Sequence, residues 1–372
     1  MVDNEKKKIE NAINFYMLAN NLKYITDINE SIADRIYGAM ILATAINSEY
    51  NLTDDLSKVI RTILLSKMYN YNRDGMEIFL KQKHKYTHEI YDYYWEQTSD
   101  GHLANECVRL ENELAAFFYK IDNENFDIND YSKVYDLANE HGVFDRIGKN
   151  EKNREIFRFY YINRILKRKL RSGWDSTHWN VSCNRIERIS EHCVGTIALA
   201  IALAIALAIA LRSEFEFDID LDKIIQMLVN HEIGEIFIGD ITPFDGITSE
   251  QKKELEHSAM KKAVGNLLDG DKILEMLYEF DEQKTEDAKY AHYCDKLEAD
   301  IQAKVYQDMG CHHPLTEQQN NVVFKSDKVQ KMVQDGATTA FDIWYEWDKS
   351  IYTEEPVFTK VLKYVKDNNI KN

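Results

Sequence analysis

The chain has 372 residues, with 46 Lys and Arg against 63 Asp and Glu, and a formal net charge of −17. That length accommodates two domains of ordinary size, and that charge repels a phosphate backbone, so extended nucleic acid is excluded as an expected partner. With 3 Pro and 14 Gly, punctuation is sparse, which predicts long helices and an all-α protein.

The N-terminus, Met1-Val-Asp-Asn-Glu-Lys-Lys-Lys8, leads into an amphipathic helix rather than an apolar signal core. Four segments of the first half then recur in the same order later on. Asn14–Lys23 matches Arg158–Lys167, Glu30–Arg35 matches Glu187–His192, Asp55–Ile60 matches Asp220–Ile225, and Cys107–Glu111 matches Cys294–Glu298. The shared order predicts a tandem duplication, with residues 1–148 as one copy and 149–372 as the other. The polar stretch from Gly142 to Asn153 is the expected hinge. Five cysteines (Cys107, Cys183, Cys193, Cys294 and Cys311) show no paired spacing, which fits a reducing, cytoplasmic setting.

The basic run Arg164–Arg171 is either a solvated helix face or a local attraction for an anionic substrate. The string Arg185-Ile-Glu-Arg-Ile-Ser-Glu-His192 opens an uncharged stretch from Cys193 to Leu211, built on Ile-Ala-Leu-Ala repeats. That stretch approaches membrane-spanning length. It follows His192 directly and half of it is alanine, so a helix buried on every side is expected, with no membrane partner. The apolar run Ile224–Val229 leads to His231-Glu-Ile-Gly-Glu-Ile-Phe-Ile-Gly-Asp-Ile-Thr-Pro243, and Cys294-Asp-Lys-Leu-Glu298 comes last.

His192, His231, Glu232 and Asp295 are ligand-type residues in helix-like surroundings. Two imidazoles and two carboxylates make a mixed nitrogen/oxygen site for one divalent metal ion, suited to Mn, Co, Fe or Zn more than Mg. An open site of this kind activates water, the core of a hydrolase. Glu235 lies one helical turn past the His231-Glu232 pair, where a carboxylate can orient water or take its proton, or is simply an exposed helix charge. Asp240 follows Gly239 at a helix end, as a binding residue or a turn aspartate. Arg185 offers a fork for phosphate oxygens or makes an ion pair. Trp174 lines a pocket or belongs to the core. His257 and His292 would serve a second metal but sit in no matching pattern, and nothing specific recommends His178.

The Arg-x-Glu-x-Ile-Ser-Glu-His opening, the His231-Glu-x-x-Glu-x-x-x-Gly-Asp240 centre and the late Asp295 resemble the HD-domain phosphohydrolases, in the branch that contains 5′-deoxynucleotidases. The resemblance runs from about residue 157 to about residue 310. It implies a helical HD bundle with His192, His231, Glu232 and Asp295 on the metal. Glu235 would lie near the attacking water, Arg185 near the phosphate and Asp240 near the sugar. Arg171-Ser-Gly-Trp174 is similar to an Arg-Thr-Gly-Trp string of the family. One departure stands out: the family has Asp where this chain has Glu232, one methylene longer.

Residues 1–148 then read as a degenerate HD-like copy, with Arg35, Ser66, Lys67 and Val108 where the second copy has its four ligands. Without ligands this half is expected to bind no metal and to pack where a second subunit would stand, making an intramolecular pseudo-dimer or supporting a homo-oligomer. His192 and His231 are 39 residues apart, against 31 for Arg35 and Ser66, which predicts a longer helix or loop in the second copy, by about 12 Å if helical. Glu232 and Asp295 are 63 residues apart, against 41 for Lys67 and Val108, so the second copy has more chain around Gly239–Pro243. The expected function is a metal-dependent phosphohydrolase acting on a small phosphomonoester, a (deoxy)nucleoside 5′-monophosphate first. The alternative is a non-catalytic nucleotide-binding or regulatory protein.

Overall fold

The computed structural model describes residues 2–82, 84–121, 127–144, 150–174, 177–210 and 219–370. The first half runs through α1 (Val2–Asn20), α2 (Ile32–Tyr50), α3 (Leu56–Tyr71), α4 (Arg73–Gln82), α5 (His84–Trp95), α6 (Ser99–Ile121) and α7 (Tyr131–Glu140). The second half continues with α8 (Glu151–Asn163), α9 (Ile189–Ala210), α10 (Leu221–Asn230), α11 (Glu235–Ile238) and α12 (Ser249–Val264). It ends with α13 (Gly270–Glu282), α14 (Glu286–Asp308), α15 (Asp327–Gln334), α16 (Ala340–Asp348) and α17 (Pro356–Asp367). Among the described residues the sheet content is one antiparallel pair, Thr26–Asp27 against Glu30–Ser31. The protein is all-α.

The central helices are α2 and α9, which pack against each other. Both start on polar caps. Ser31 Oγ accepts the Asp34 amide at 3.0 Å, and Asp34 accepts the Ser31 amide at 2.9 Å, satisfying two amides that the first turn leaves free. At α9 the carboxylate of Glu191 accepts the Arg188 amide at 2.7 Å. The two caps meet, because Ser190 Oγ donates to Asp34 at 2.7 Å.

The first helix of each half lies on the central helix of the other: α1 packs on α9, and α8 packs on α2. One cluster of buried apolar residues runs from Ala12 to Ile370, straight across residue 148. The expected hinge residues 145–149, with Gly148 and Lys149, and the end of the repeat at Leu211 lie outside the described residues.

The Ile-Ala-Leu-Ala repeat forms a helix, although its alternation also suits a buried strand. Residues 197–203 are each no more than 3% exposed, so an all-apolar surface is what its position demands. Each fully buried Ile or Leu there contributes roughly 1.5–3 kcal/mol. Among the described residues no helix is long and apolar enough to cross a membrane. α9 has 22 residues and α2 has 19, so part of the expected excess is helical. The remainder falls at 211–218, outside the described residues.

A smaller cluster of Trp179, Val323, Val329, Ala340 and Ile343 packs against Phe244, Trp344 and Trp347. It anchors the segment after α11 to α15 and α16. Cys183 and Cys311 form a disulfide with 5.2 Å between Cα atoms, while Cys107, Cys193 and Cys294 are free and buried. The scattered spacing gave no sign of this pairing, because the partners are 128 residues apart and meet only once α9 and α14 pack.

Candidate metal centre

His192 stands in the first turn of α9, His231 and Glu232 follow the last residue of α10, and Asp295 lies midway along α14. The packing of α9, α10 and α14 brings one ligand-type atom from each within 4.8 Å of the others, and all four residues are buried. His192 Nε2 is 2.8 Å from Asp295 Oδ1 and 3.5 Å from Glu232 Oε1. His231 Nε2 is 3.6 Å from Glu232 Oε1 and 3.7 Å from Asp295 Oδ1. His231 and Glu232 sit in the turn between α10 and α11 rather than within a helix, so neighbouring side chains converge.

The ring tautomers follow from the partners. A carbonyl only accepts, so His231 Nδ1 donates its proton to Leu228 O at 2.8 Å, which turns Nε2 toward the cluster. That Nε2 is buried without a hydrogen-bond partner. An orphaned imidazole nitrogen beside two carboxylates fits a cation. His192 Nδ1 donates to Glu298 Oε2 at 2.5 Å, which directs its Nε2 at the same point. The cluster is therefore built from ligand-type atoms that suit a divalent ion of borderline softness.

Charge is concentrated here. Burial and Arg171 press the His192 pKa down, but Glu298 and Asp295 outweigh them and raise it to about 9. Burial works against the charged form of Asp295, yet Lys296 and the two histidines hold its carboxyl well below the usual range. Burial likewise opposes ionisation of Glu232, and Arg171, His231 and His192 overcome it. Glu235 behaves in the opposite way. Burial, then Glu232 and Asp240, push it well above the usual carboxyl value, and its Oε2 is buried without a partner. A carboxyl held ready to carry a proton beside an ionised ligand set is suited to acid/base work.

The structure does not bring every expected residue to this cluster. Arg185 hydrogen-bonds to Glu191 through Nε at 3.2 Å and reaches Asp34 at 3.2 Å, so the α9 and α2 caps occupy its guanidinium. Arg171 is the arginine at the cluster instead, with Nη1 2.5 Å from Glu232 Oε1 and Nε 3.9 Å from Asp240 Oδ2. Asp240 accepts the Ser172 amide at 2.8 Å, so it orders the Arg171 segment. Trp174 is 4% exposed, packs on Tyr306 and Trp344, and donates its indole N–H to Glu187 at 3.0 Å. It is placed in the core. His257 pairs with Asp281 at 2.9 Å, and His292 faces Gln283 at 3.2 Å; neither joins the four. His178 bonds Thr242 at 3.0 Å.

The basic run is partly internal. Lys167 is 2% exposed between Glu30 and Glu111, Arg164 covers the Phe118 ring, and Lys169 donates to the Glu235 carbonyl at 2.9 Å. Two further residues border the cluster. Lys296 Nζ lies 3.1 Å from Asp295 Oδ2 and is partly exposed. Glu298 supports His192 from behind. Its signal was available, since it lies three residues after Asp295 and thus on the same helix face.

An all-α bundle thus carries a buried cluster of two histidines and two carboxylates, from α9, α14 and the turn after α10, that could hold a metal ion. The sequence model of the HD domain family matches residues 164–337, a span that holds all four residues. The chain is 29% identical over 157 residues to the 5′-deoxynucleotidase HDDC2 of Mus musculus, covering 41% of this chain and 71% of that protein. The HDDC2 protein of Homo sapiens is 28% identical over 159 residues, 42% of this chain and 70% of its own length. That of Dictyostelium discoideum is 38% identical over 88 residues, 23% of this chain and 46% of its own. A crystal structure of the PH0347 protein from Pyrococcus horikoshii OT3 aligns with 56% of this chain and 97% of that one, at 21% identity and a TM-score of 0.40. Residues 164–337 thus match the HD domain family, and the chain is similar to 5′-deoxynucleotidases over much of the same span.

Proposed function

We propose that this protein is a metal-dependent phosphohydrolase that removes the 5′-phosphate of a (deoxy)nucleoside monophosphate. The observation that carries the reading is the convergence of His192, His231, Glu232 and Asp295, with His231 Nε2 buried and without a hydrogen-bond partner. These four side chains would hold one divalent ion. Such an ion supplies Lewis acidity toward a phosphoryl oxygen and lowers the pKa of water.

The remaining work falls to the chain's own side chains. Glu235 orients the attacking water and manages its proton, from a position where burial keeps its own proton affinity high. Arg171 and Lys296 sit beside the ligand carboxylates and offset the charge of the three phosphoryl oxygens. Asp240 holds Arg171 and the Ser172 amide in place, and takes up the sugar contact that the resemblance implies. The deoxynucleotidase activity named for the similar mouse and human proteins supports the nucleoside monophosphate as substrate.

One observation favours the non-catalytic alternative: Arg171 stands on Glu232, where it competes with a cation for that carboxylate. One experiment separates the two readings. Inorganic phosphate release is measured across ribo- and deoxynucleoside monophosphates with Mn, Co, Fe, Zn and Mg added in turn. Release with at least one metal, lost on chelation, supports the enzyme. Tight nucleotide binding that survives chelation, with no release, supports the alternative.

A further inference from the structure

We propose that the first half of the chain is a working part of the metal centre, in which Lys23 and Tyr16 are positioning residues that hold Glu298 and, through it, the ring of His192. This inference rests on the metal-site reading above. Tyr16 Oη donates to Glu298 Oε1 at 2.7 Å, and Lys23 Nζ lies 2.6 Å from the same oxygen. Glu298 Oε2 takes the Nδ1 proton of His192 at 2.5 Å. Tyr16, Lys23, Glu298 and His192 are each no more than 2% exposed. Lys23 also pairs with Glu187 and with Gln302 Oε1, at 3.2 Å for the latter. One ammonium thus neutralises two buried carboxylates that would otherwise face each other. Its removal leaves Glu298 free to repel Glu187 and to let go of the ring, because a buried charge pair broken on one side loses its geometry.

The other half repeats the arrangement with the roles exchanged. Lys167 Nζ lies 2.7 Å from Glu30 and 2.8 Å from Glu111. A side chain at Gly195 would run into Glu298, and one at Gly38 would run into Glu111. Each central helix therefore gives up a Cβ to let a glutamate approach. In both cases the lysine comes from the segment that starts one half, and the two glutamates belong to the other half. At the place of His192 the first half has Arg35, with Nε 3.6 Å from Glu111 Oε1. A cationic side chain stands there in place of an imidazole and its metal. The first half has kept the lysine–glutamate frame and lost the ligands, as a duplicated copy retained for support would. A second half expressed alone would lack Lys23 and Tyr16.

The test uses the full chain carrying Lys23→Met, Tyr16→Phe or, as the mirror control, Lys167→Met. Metal affinity is read by Co(II) competition against a chromophoric chelator, and ligand geometry by the Co(II) visible spectrum. Lys23→Met is expected to weaken Co(II) binding by about 10–100-fold and to shift the spectrum, with Tyr16→Phe at the lower end of that range. Lys167→Met is expected to lower thermal stability to a similar extent and leave affinity and spectrum unchanged. Wild-type affinity in Lys23→Met and Tyr16→Phe, or an equal loss in Lys167→Met, overturns the inference. If Lys23→Met does not fold, Tyr16→Phe decides on the same criterion. A wild-type chain that binds no Co(II) overturns the metal-site reading itself, and this inference with it.

Discussion

Arg171 Nη1 lies 2.5 Å from Glu232 Oε1, inside the set of ligand-type atoms. The Glu232 carboxylate faces both histidines and a guanidinium, with Oε1 3.5 Å from His192 Nε2 and 3.6 Å from His231 Nε2. Arg171 also faces Asp240, so it links the cluster to the segment after α11. Arg171→Ala is expected to lower kcat/KM for a nucleoside monophosphate by about 100-fold, the usual effect of removing one preorganised donor from a phosphoryl site. Arg171→Lys, which keeps charge and loses the fork, is expected to recover only part of this. Steady-state kinetics on metal-saturated protein check both values.

Glu235 and His231 are separable by experiment. His231→Ala removes a ligand-type atom, so metal content measured by elemental analysis is expected to fall together with phosphate release. Glu235→Gln keeps the shape and removes the titratable group. It is expected to retain metal while kcat drops by about 100-fold or more. Equal metal loss in both variants would place Glu235 among the ligands instead.

Arg185 is expected to matter for folding rather than for substrate. It joins Glu191 to Asp34, and both carboxylates are fully buried. Arg185→Ala is expected to cost about 2 kcal/mol, the scale of a hydrogen bond to a charged group, and to lower Tm by a few degrees. KM for the nucleotide should stay within about twofold of wild type, since uniform binding is unaffected. A large rise in KM at unchanged Tm would return Arg185 to the phosphate.

Asp300 on α14 and Asp348 at the end of α16 are both buried, and their carboxyls interact electrostatically. Burial first, and then the charge of Asp348, hold Asp300 well above the usual carboxyl range, while Tyr352 Oη donating at 2.7 Å works the other way. Burial also raises Asp348, against Lys296 and Lys328. The folded state therefore binds the Asp300 proton more tightly than the unfolded state does. The stabilisation is complete below the ordinary aspartate pKa of about 3.9 and is lost as pH rises through the folded value. Asp348→Asn removes one of these two carboxyls. Its urea midpoint is expected to fall less than that of wild type between pH 5 and pH 8, and parallel profiles would contradict this.

The sequence shows the site through its helical strings. His192, His231, Glu232 and Asp295 could be picked out because they stand in strings that resemble a family's motifs, within or beside apolar helical stretches. Which arginine would join them was not legible. Arg171 and Arg185 have the same chemistry, and only the long-range contact of Asp34 with the α9 cap removes Arg185 from the cluster. Trp174 shows the same limit, since its neighbours Tyr306 and Trp344 come from α14 and α16. The matching segments could be aligned by eye, but nothing in them says that α1 crosses to α9. That exchange depends on burying an apolar helix face against whichever partner is in reach, which is a property of the assembled bundle. Glu298 was within reach of sequence reasoning, and Lys23 was not.

The measurement that bears most directly on the account is phosphate release from a deoxynucleoside 5′-monophosphate by wild-type protein, followed against metal bound per chain. Release is expected to rise with metal and saturate near one ion per chain, with Glu235→Gln taking up the same metal and releasing almost no phosphate. Metal-loaded wild-type protein that releases no phosphate from any nucleoside monophosphate would contradict it.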